Sequence, residues 1–561
     1  MLHFQDARPS AKPYVWSACL LSISWGALLL ALALTDDTGA AMTTKEMGYM
    51  AKAVLMGGAA LSALVALAFG GHWAFNAATN RSSLEALPGT VPVAGLDVVD
   101  RDDPTWSLEI RGLGITPGER FQSEAWSKIL EKHDDFASIY SQDPLDYTDS
   151  EQWRRDSAEI RMGAAFKYAV SDAVAYWPIP SFAVEPPNVG KFEFMRAAGL
   201  IDAGRFGGSL GVTLFLWQQD ANTTRAQPTI EKIYNFFDEN PEPPAVVLAV
   251  RDGEVMRDRY SPQDKPLISE GRYVPSIIDT TAVITLARSD RVDRYLRPYA
   301  PTYRENNQDT RFDLSKLWFH YFEAERRVGE EYEARQRARG VQDPWFPGTL
   351  PTEEWQATLP ELWKHTNNVG PGKFTQTPWL PVRWPQHQID EFDQMPQLGH
   401  LHRPIKVMLH DAEGKPLKPA LQAQALAEGW KQALATLPEG HAPVRVFHDS
   451  HDGTALGIAL NAALHSLNTD GHGLELNNVD EGYDIGRRIG NVGITSPVVQ
   501  IGLGAIASYH QGGVSAVVYA GADGSATIQM VRPPSHGEKA RNDAQHRTAD
   551  PFMWRVPGGG S

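Results

Sequence analysis

Two uncharged apolar runs near the N-terminus constrain this chain more than any other feature of its sequence. The first, Tyr14–Thr35 (YVWSACLLSISWGALLLALALT), has 22 residues without a charge, and the second spans Ala53–Gly71. At a rise of about 1.5 Å per residue, either run in α-helical form is long enough for a hydrocarbon core of about 30 Å. We therefore predict a hairpin of two transmembrane helices, at about residues 14–35 and 53–71.

A cleavable signal peptide is the alternative interpretation of the first run, because a short basic lead precedes it and Ala31-Leu32-Ala33 resembles a cleavage site. The uncharged stretch is longer than a typical signal core, which favours a retained helix. With both crossings retained, Arg8 and Lys12 hold the N-terminus in the cytoplasm, and the second helix returns the chain there. The expected location is the inner membrane, with the large soluble portion cytoplasmic.

The net charge of −16 excludes one class of partner for the remainder of the chain. The charges of residues 1–78 cancel, so the acidity belongs to the residues that follow. An acidic surface repels phosphate backbones, and nucleic acid is therefore not an expected partner. The single cysteine, Cys19, lies in the first apolar run, so a cysteine nucleophile or thiolate metal site is not expected elsewhere.

The large portion alternates helical and strand-like patterns, which predicts an α/β fold. A helix over Thr229–Phe237 leads to an apolar run from Pro244, and a helix over Leu421–Leu437 leads to a second run at Val444. Short, almost wholly apolar strands indicate a sheet covered by helices on both faces. AVVLAVRDG from Ala245 and AVVYAGADG from Ala516 share six of nine positions. This echo indicates either two related α/β halves or two hairpins that converged on one pattern.

The predicted organisation follows from these patterns and from a different segment between the halves. Asp313 to Arg339 has a charged helical pattern, and the residues after it are rich in proline and tryptophan. Tryptophans on such a connection either anchor a protein partner or pin the connection onto the core. The tryptophans predicted to bind a partner are Trp345, Trp355, Trp363, Trp379 and Trp384. The predicted boundaries are a hairpin over 1–79, a tether over 80–105, a first α/β region over 106–312, the charged helix and connection over 313–399, a second α/β region over 400–535 and a polar tail over 536–561.

Two motifs could support catalysis, and each also has an interpretation without catalysis. Gly207-Gly208-Ser209-Leu210-Gly211 matches the nucleophile elbow of esterases, but that elbow needs a strand before the serine and a helix after it. The cluster His448–Asp452 follows a strand and could ligate a metal or form an acid–base pair, or its polar residues could cap the next helix. The sequence therefore assigns no catalytic residue, metal or cofactor. The alternative function is a membrane-anchored hydrolase that uses Ser209 or the His448–Asp452 cluster.

Several long stretches carry a resemblance to a known family. They include FEFMRAAGLIDAGRFGGSLGVTLFLWQQD, PAVVLAVRDGEVMRDRY, VPSIIDTTAVITLARSDRVDRYLRPYAP and PWLPVRWPQHQIDEFDQMPQLGH. In these the chain resembles the type VI lipase adapter family. The resemblance implies a non-enzymatic adapter that binds a phospholipase effector in the cytoplasm and delivers it to the type VI secretion spike. The implied partners are the effector and the spike protein, in addition to the membrane through the two predicted helices.

A second resemblance concerns the fold. The stretch GLGAIASYHQGGVSAVVYAGADGSATIQMVRPP is similar to the C-terminal segment of thiolase-like and ketosynthase-like proteins. The resemblance implies a degenerate thiolase-like arrangement of the two α/β halves. Enzymes of that superfamily typically use a cysteine nucleophile, and no cysteine follows Cys19. The acyl-transfer chemistry of the superfamily is therefore expected to be absent.

Overall fold

A computed structural model describes residues 105–553, apart from 133, 187–195, 219–224, 260, 262–264, 303–311, 469–470, 472 and 547–549. The predicted hairpin lies outside these residues, as does the predicted tether before residue 105. Residues Val99–Trp554 form one compact unit.

The first half of the fold consists of five strands with helices between them. Its strands are β1 (Ser107–Pro117), β2 (Pro178–Val184), β3 (Leu214–Trp217), β4 (Ala245–Asp252) and β5 (Thr280–Ala287). Its helices are α1 (Gln122–Glu131), α2 (Glu151–Val170), α3 (Arg196–Gly207), α4 (Ala226–Glu239) and α5 (Glu254–Asp258). The spatial order of the strands is β1-β5-β4-β2-β3. β5 is antiparallel to both of its neighbours, whereas β4, β2 and β3 are parallel to one another.

The second half repeats this topology. Its strands are β7 (Gly399–His402), β8 (Ile405–Met408), β9 (Pro443–His448), β10 (Gly482–Asp484), β11 (Val514–Ala520) and β12 (Ser525–Arg532). Its helices are α10 (Pro419–Leu434), α11 (Thr454–Asn468), α12 (Ile485–Arg488) and α13 (Ser496–Gln511). The strand order β7-β12-β11-β9-β10 matches that of the first half, with β8 as an additional partner of β12. β12 is antiparallel to its neighbours, and β11, β9 and β10 are parallel.

The two halves join where β1 pairs with β7, in an antiparallel register that sets Ser107 opposite His402. A sheet of twelve strands results. The sequence echo falls on equivalent strands, because the copy from Ala245 forms β4 and the copy from Ala516 lies in β11. Shared strand order, strand direction and position of the echo support an internal duplication over convergence of two hairpins.

An inserted segment separates the halves. It contains α6 (Ser289–Tyr295), α7 (Asp313–Ala338), β6 (Leu350–Pro351), α8 (Thr352–His365) and α9 (Gln386–Gln394). β6 pairs with β3 and so extends the edge of the first half. After the second half, α14 (His536–His546) lies in the predicted tail, where Phe552 is also buried. The predicted domain boundaries remain predictions.

Alternating side chains of β4 and β11 are shared between an inner core cluster and two outer ones. In β4, Val246 and Leu248 belong to the inner cluster, which includes residues of α1, α4 and α13, and Val247 packs on the other face with α2 and α3. In β11, Val517 joins the same inner cluster, and Val518 packs outward with α10 and α11. The sheet is thus covered on both faces, which confirms the prediction made from its apolar strands.

Two glycines of β1 let α2 approach the sheet closely. A Cβ atom at Gly112 would overlap the carbonyl oxygen of Ala169, and one at Gly114 would overlap the carbonyl oxygen of Ala165. Both obstacles are backbone atoms of α2, which a rotamer change cannot move. The position of α2 matters because this helix lines the cleft described below.

The predicted fold class requires a correction. Among the helices of the described residues, none combines the length and apolar character of a bilayer span. The two runs predicted to cross the membrane, 14–35 and 53–71, fall outside those residues, so the structure provides no support for a transmembrane hairpin. An uncharged run meets the length requirement for a span, but length alone does not establish one. The fold class is corrected to a mixed α/β fold in two topologically equivalent halves.

Candidate functional site

Helix α7 contains five consecutive residues with ring side chains, Trp318-Phe319-His320-Tyr321-Phe322. A helix distributes consecutive side chains around its circumference, so these rings cannot all be buried on one face. Tyr321 is fully buried and donates its hydroxyl to the carbonyl oxygen of Phe215. Phe319 is 47% exposed, whereas Trp318 and Phe322 are half-buried and 5.2 Å apart.

The end of α3 adds a further exposed ring. Phe206 is 70% exposed, the highest value among the large apolar side chains of the described residues. The Arg205 guanidinium lies 5.7 Å from the Phe206 ring and 5.3 Å from the Phe322 ring. Together Arg205, Phe206, Trp318, Phe319 and Phe322 form a surface that we call the aromatic patch.

The cation of the aromatic patch is held by a partly buried carboxylate. Arg205 is 3.6 Å from Glu325 on α7. Burial raises the pKa of Glu325 to about 7, while Arg205 opposes this rise and Asp202 adds to it. Burial also raises the pKa of Asp202. Glu325 and Arg205 thus connect α7 to α3, and they fix the two helices that carry the exposed rings.

A cleft of about 940 Å³ lies at a different place, with walls from both halves. The first half contributes residues 118–120, 138–142 and 274–276, and the second half contributes His451 and residues 486–487 and 489–491. Trp153, Ser157 and Arg161 lie at intervals of four residues on α2, so they share one stripe of the helix, and all three line the cleft. We call it the inter-half cleft.

Arg161 is the notable charge of the inter-half cleft. Its guanidinium is half-buried and donates to the Ser157 hydroxyl, and its Nε is buried without a hydrogen-bond partner. Burial lowers the pKa of Arg161, an effect that the nearby Asp279 and Glu119 oppose. Within the described part of the chain, no carboxylate forms an ion pair with it. A guanidinium that has lost water without gaining a close counter-ion is costly.

The serine of the esterase-like motif terminates a helix. Ser209 has a φ of +55° directly after α3. Its N–H donates to the carbonyl oxygen of Phe206, and the N–H of Leu210 donates to that of Arg205. These two bonds and the left-handed residue form a Schellman motif, which closes the C-terminus of a helix. A helix precedes Ser209 and a strand follows it, as the sequence indicated, and this order is the reverse of a nucleophile elbow.

The His448–Asp452 cluster forms a turn between β9 and α11. Asp449 is buried, where it accepts hydrogen bonds from the Ser496 hydroxyl at 2.6 Å and from the His451 N–H at 2.8 Å. The Ser450 N–H donates to Asp484 at 3.0 Å. Burial lowers the pKa of His448. Among the described residues, no group of three His, Cys, Asp or Glu side chains is placed to hold a metal ion.

The five tryptophans of the connection occupy different environments. Trp355 and Trp384 are fully buried, and Trp379 is buried with its indole N–H donating to Asn240 at 2.9 Å. Trp363 is half-buried and donates to the carbonyl oxygen of Pro381 at 3.2 Å. Trp345 is 63% exposed, which makes it the one member of the five available at the surface. Their role in partner binding stays a prediction.

The sequence matches the N-terminal region of the type VI lipase adapter protein Tla3 family over residues 106–270 and its C-terminal region over residues 398–533. Together these matches cover more than half of the chain. The chain belongs to the type VI lipase adapter protein Tla3 family. This membership confirms the resemblance seen in the sequence.

The two Tla3 matches correspond to the two halves of the fold. The N-terminal match contains β1 to β4, and the C-terminal match contains β7 to β12. The inserted helix α7 lies between the two matched regions. The aromatic patch therefore combines a matched helix, α3, with an inserted one.

Solved structures similar to this chain include ketosynthases, at low similarity. One is a type II polyketide synthase acyl-carrier protein in complex with its ketosynthase. The sequence identity is 11%, the match covers 76% of this chain and 99% of that chain, and the TM-score is 0.36. The ishigamide ketosynthase/chain length factor has 9% identity, coverage of 77% and 100%, and a TM-score of 0.37. The ketosynthase from module 6 of the bacillaene synthase of Bacillus subtilis 168 has 9% identity, coverage of 76% and 70%, and a TM-score of 0.37. These TM-scores are too low to settle the thiolase-like arrangement or to assign a ketosynthase property to this chain.

The sequence interpretation missed the residues that define both surfaces. The run Trp318–Phe322 did contain a signal, because consecutive aromatic residues on one helix place at least one ring at the surface. For Arg161 the sequence gives no such signal, since its environment comes from residues 118–120 and 274–279, which are distant in sequence.

Proposed function

We propose that this protein is a non-enzymatic adapter that binds a phospholipase effector in the cytoplasm and delivers it to the type VI secretion spike. Membership of the Tla3 family supports the adapter role. The aromatic patch, in which Phe206 is 70% and Phe319 is 47% exposed, is the observation that supports a surface for contact with the effector.

The aromatic patch has the composition of a protein-binding surface. Aromatic and arginine side chains are enriched among the residues that dominate binding energy at interfaces. A contiguous apolar surface on a folded domain marks an interaction site when it is larger than scattered single residues. In this patch the rings of Phe206 and Phe322 flank Arg205, and Trp318 contacts Phe319 at 4.9 Å.

The chemistry of a phospholipase fits such a surface. An enzyme that hydrolyses lipids must bind acyl chains through apolar residues, and an exposed apolar surface in the producing cell favours contact with its membranes or aggregation. An adapter that covers this surface with aromatic side chains would protect the effector until it is secreted. Because the effector is loaded before export, we place the complex in the cytoplasm.

The test is affinity purification of the full chain after co-expression with a type VI phospholipase effector, and separately with the spike protein. The proposal expects the effector to co-purify, and expects the spike protein to be retained through the adapter–effector complex or the adapter itself. An effector that elutes alone at micromolar concentrations contradicts the proposal. Replacement of Cys19, the single cysteine of the sequence, by serine serves as a control against disulfide formation between two copies of the adapter.

The non-enzymatic role is tested separately with the purified chain. Ester and phospholipid substrates should not be turned over above the background rate. The structure places Ser209 in a helix terminus and Asp449 in a turn that binds the start of α13. An activity that Ser209→Ala or His448→Ala abolishes, without loss of folding, would instead support a hydrolase.

A further inference from the structure

The two most exposed rings of the aromatic patch are too small to form a stable contact by themselves. Phe206 is 70% and Phe319 is 47% exposed. At roughly 200 Å² for each side chain, the two rings offer a partner roughly 230 Å². A stable protein–protein contact covers about 800 Å² on each partner. An effector bound at the patch therefore contacts further surface beside it.

Helix α7 beyond the patch has the character of an interface rim. Ion pairs join Arg326 to Glu330 at 2.6 Å and Arg337 to Glu333 at 2.8 Å, and both arginine side chains are 60% exposed. Exposed ion pairs contribute little to stability or to binding energy. The apolar part of the contact therefore extends from the patch in another direction.

Trp345 continues the apolar surface along α3. Its indole ring would be 3.2 Å from a Cβ atom placed at Gly199, so it lies against that helix, and the side chain is 63% exposed. Gly199 and Phe206 are seven residues apart, and this spacing places them on one face of the helix. At a rise of about 1.5 Å per residue, the two positions are about 10.5 Å apart. Trp345 and Phe206 thus lie at the two ends of one face of α3.

The position of Trp345 is fixed by its neighbours in sequence. The Phe346 ring packs on α7, where it lies 5.7 Å from the Tyr332 ring. Thr349 donates its hydroxyl to the carbonyl oxygen of Ala198 on α3 at 2.9 Å. The indole ring is therefore held in place before a partner arrives, which reduces the entropic cost of binding.

The charged groups near this face of α3 are mostly covered. Arg205 lies 3.6 Å from Glu325, and the two side chains are only 12% and 17% exposed. The Arg205 charge also acts on Asp202, which is half-buried. These three groups compensate one another within the chain, and the Trp345 and Phe206 rings are what the face presents to a partner.

We propose, on the basis of the proposed adapter function, that the phospholipase effector contributes a helix that lies along α3, with one apolar side chain packed on Trp345 and a second packed on Phe206. The spacing of the two rings decides between a helix and a strand in the partner. Helix residues seven apart share a face and are about 10.5 Å apart. Side chains on one face of a strand are about 6.7 or 13.4 Å apart, so neither spacing matches. Recognition of an amphipathic helix through such paired apolar residues recurs among protein complexes.

The first test is a calorimetric titration of the full chain with the purified effector. Trp345→Ala should raise the Kd at least tenfold, and Trp345→Phe, which keeps an aromatic ring, should raise it less than threefold. Trp153→Ala is the matched control and should leave the Kd unchanged, because Trp153 is 59% exposed but lines the inter-half cleft. The thermal midpoint of each variant shows that it is folded. An unchanged Kd for Trp345→Ala, or an equal loss of binding by Trp153→Ala, would overturn the proposal.

Photo-crosslinking tests the partner helix itself. Benzoylphenylalanine is introduced at position 345 or 206 of the full chain, and the effector residues that each one captures are identified by mass spectrometry. Both positions should capture one helix of the effector, at residues about seven apart. Capture of two segments that do not belong to one helix would show the proposal to be wrong. An effector that does not bind the parent chain contradicts the adapter function as well, whereas equal binding by the parent and by Trp345→Ala contradicts only the contact along α3.

Discussion

Removal of the Phe206 ring tests the role of the aromatic patch most directly. A phenylalanine buries roughly 200 Å² at an interface, and since 70% of Phe206 is exposed, roughly 140 Å² remains for a partner to cover. At about 25 cal/mol per Å² this area corresponds to an upper limit of about 3.5 kcal/mol. Alanine retains part of the contact, so we expect Phe206→Ala to cost about 2 kcal/mol, or about a 30-fold increase in Kd.

The assay is a titration of the full chain against the purified phospholipase effector by isothermal calorimetry. The matched control is Ile458→Ala on α11 of the second half, a position that is 61% exposed and lies outside the patch. Both substitutions should change the free energy of unfolding by less than about 0.5 kcal/mol, because they are at the surface. Equal Kd values for the Phe206→Ala and Ile458→Ala variants would refute the assignment of the patch to the effector.

Three further predictions concern stability. Gly114→Ala should lower the free energy of unfolding by more than about 3 kcal/mol in a urea titration, because the added methyl group meets the backbone of α2. The control, Gly211→Ala, should not lower this free energy, because the space around Gly211 is open. Glu325 has a folded-state pKa of about 7, which is above its unfolded value. The native protein should therefore lose stability as the pH rises from about 4.3 to about 7. We expect the Glu325→Gln variant to be more stable than the parent by about 2 kcal/mol at pH 8 and similar to it at pH 4.5. Burial lowers the folded-state pKa of His402 to about 3, so native stability should fall as the pH falls from about 6.5 to about 3. The His402→Leu variant should therefore unfold in acid at a lower midpoint pH, followed by circular dichroism. An unchanged midpoint pH would contradict this assignment.

The sequence was sufficient to predict the elements that have strong local patterns. The helix expected over Thr229–Phe237 is observed over Ala226–Glu239, and the run from Pro244 forms β4. Each of these segments carries its own signal, either helical spacing or an apolar run followed by Asp-Gly. The echo between Ala245 and Ala516 likewise located two equivalent strands.

Features that depend on contacts distant in sequence could not be predicted. The pairing of β1 with β7 joins residues that are far apart in the chain, and no local pattern specifies it. The same limit applies to Arg161, whose surroundings include Glu119 and Asp279, from loops of the same half that are distant from it in sequence. The predicted transmembrane hairpin is a different case, since it rested on the length of two uncharged apolar runs, and none of the helices among the described residues is long and apolar enough to span a membrane.

Both candidate surfaces are built where the two halves differ. β4 and β5 are connected by residues 253–279, which include cleft-lining positions, while the equivalent strands β11 and β12 are connected by residues 521–524. The inserted helix α7 supplies three rings of the aromatic patch and has no counterpart in the second half. A repeated core satisfies the packing requirements of the fold in both halves, so the segments that break the symmetry are the ones free to acquire a function. On this reasoning, shortening residues 253–279 should impair the cleft without affecting the patch, because the two surfaces use different additions to the same core.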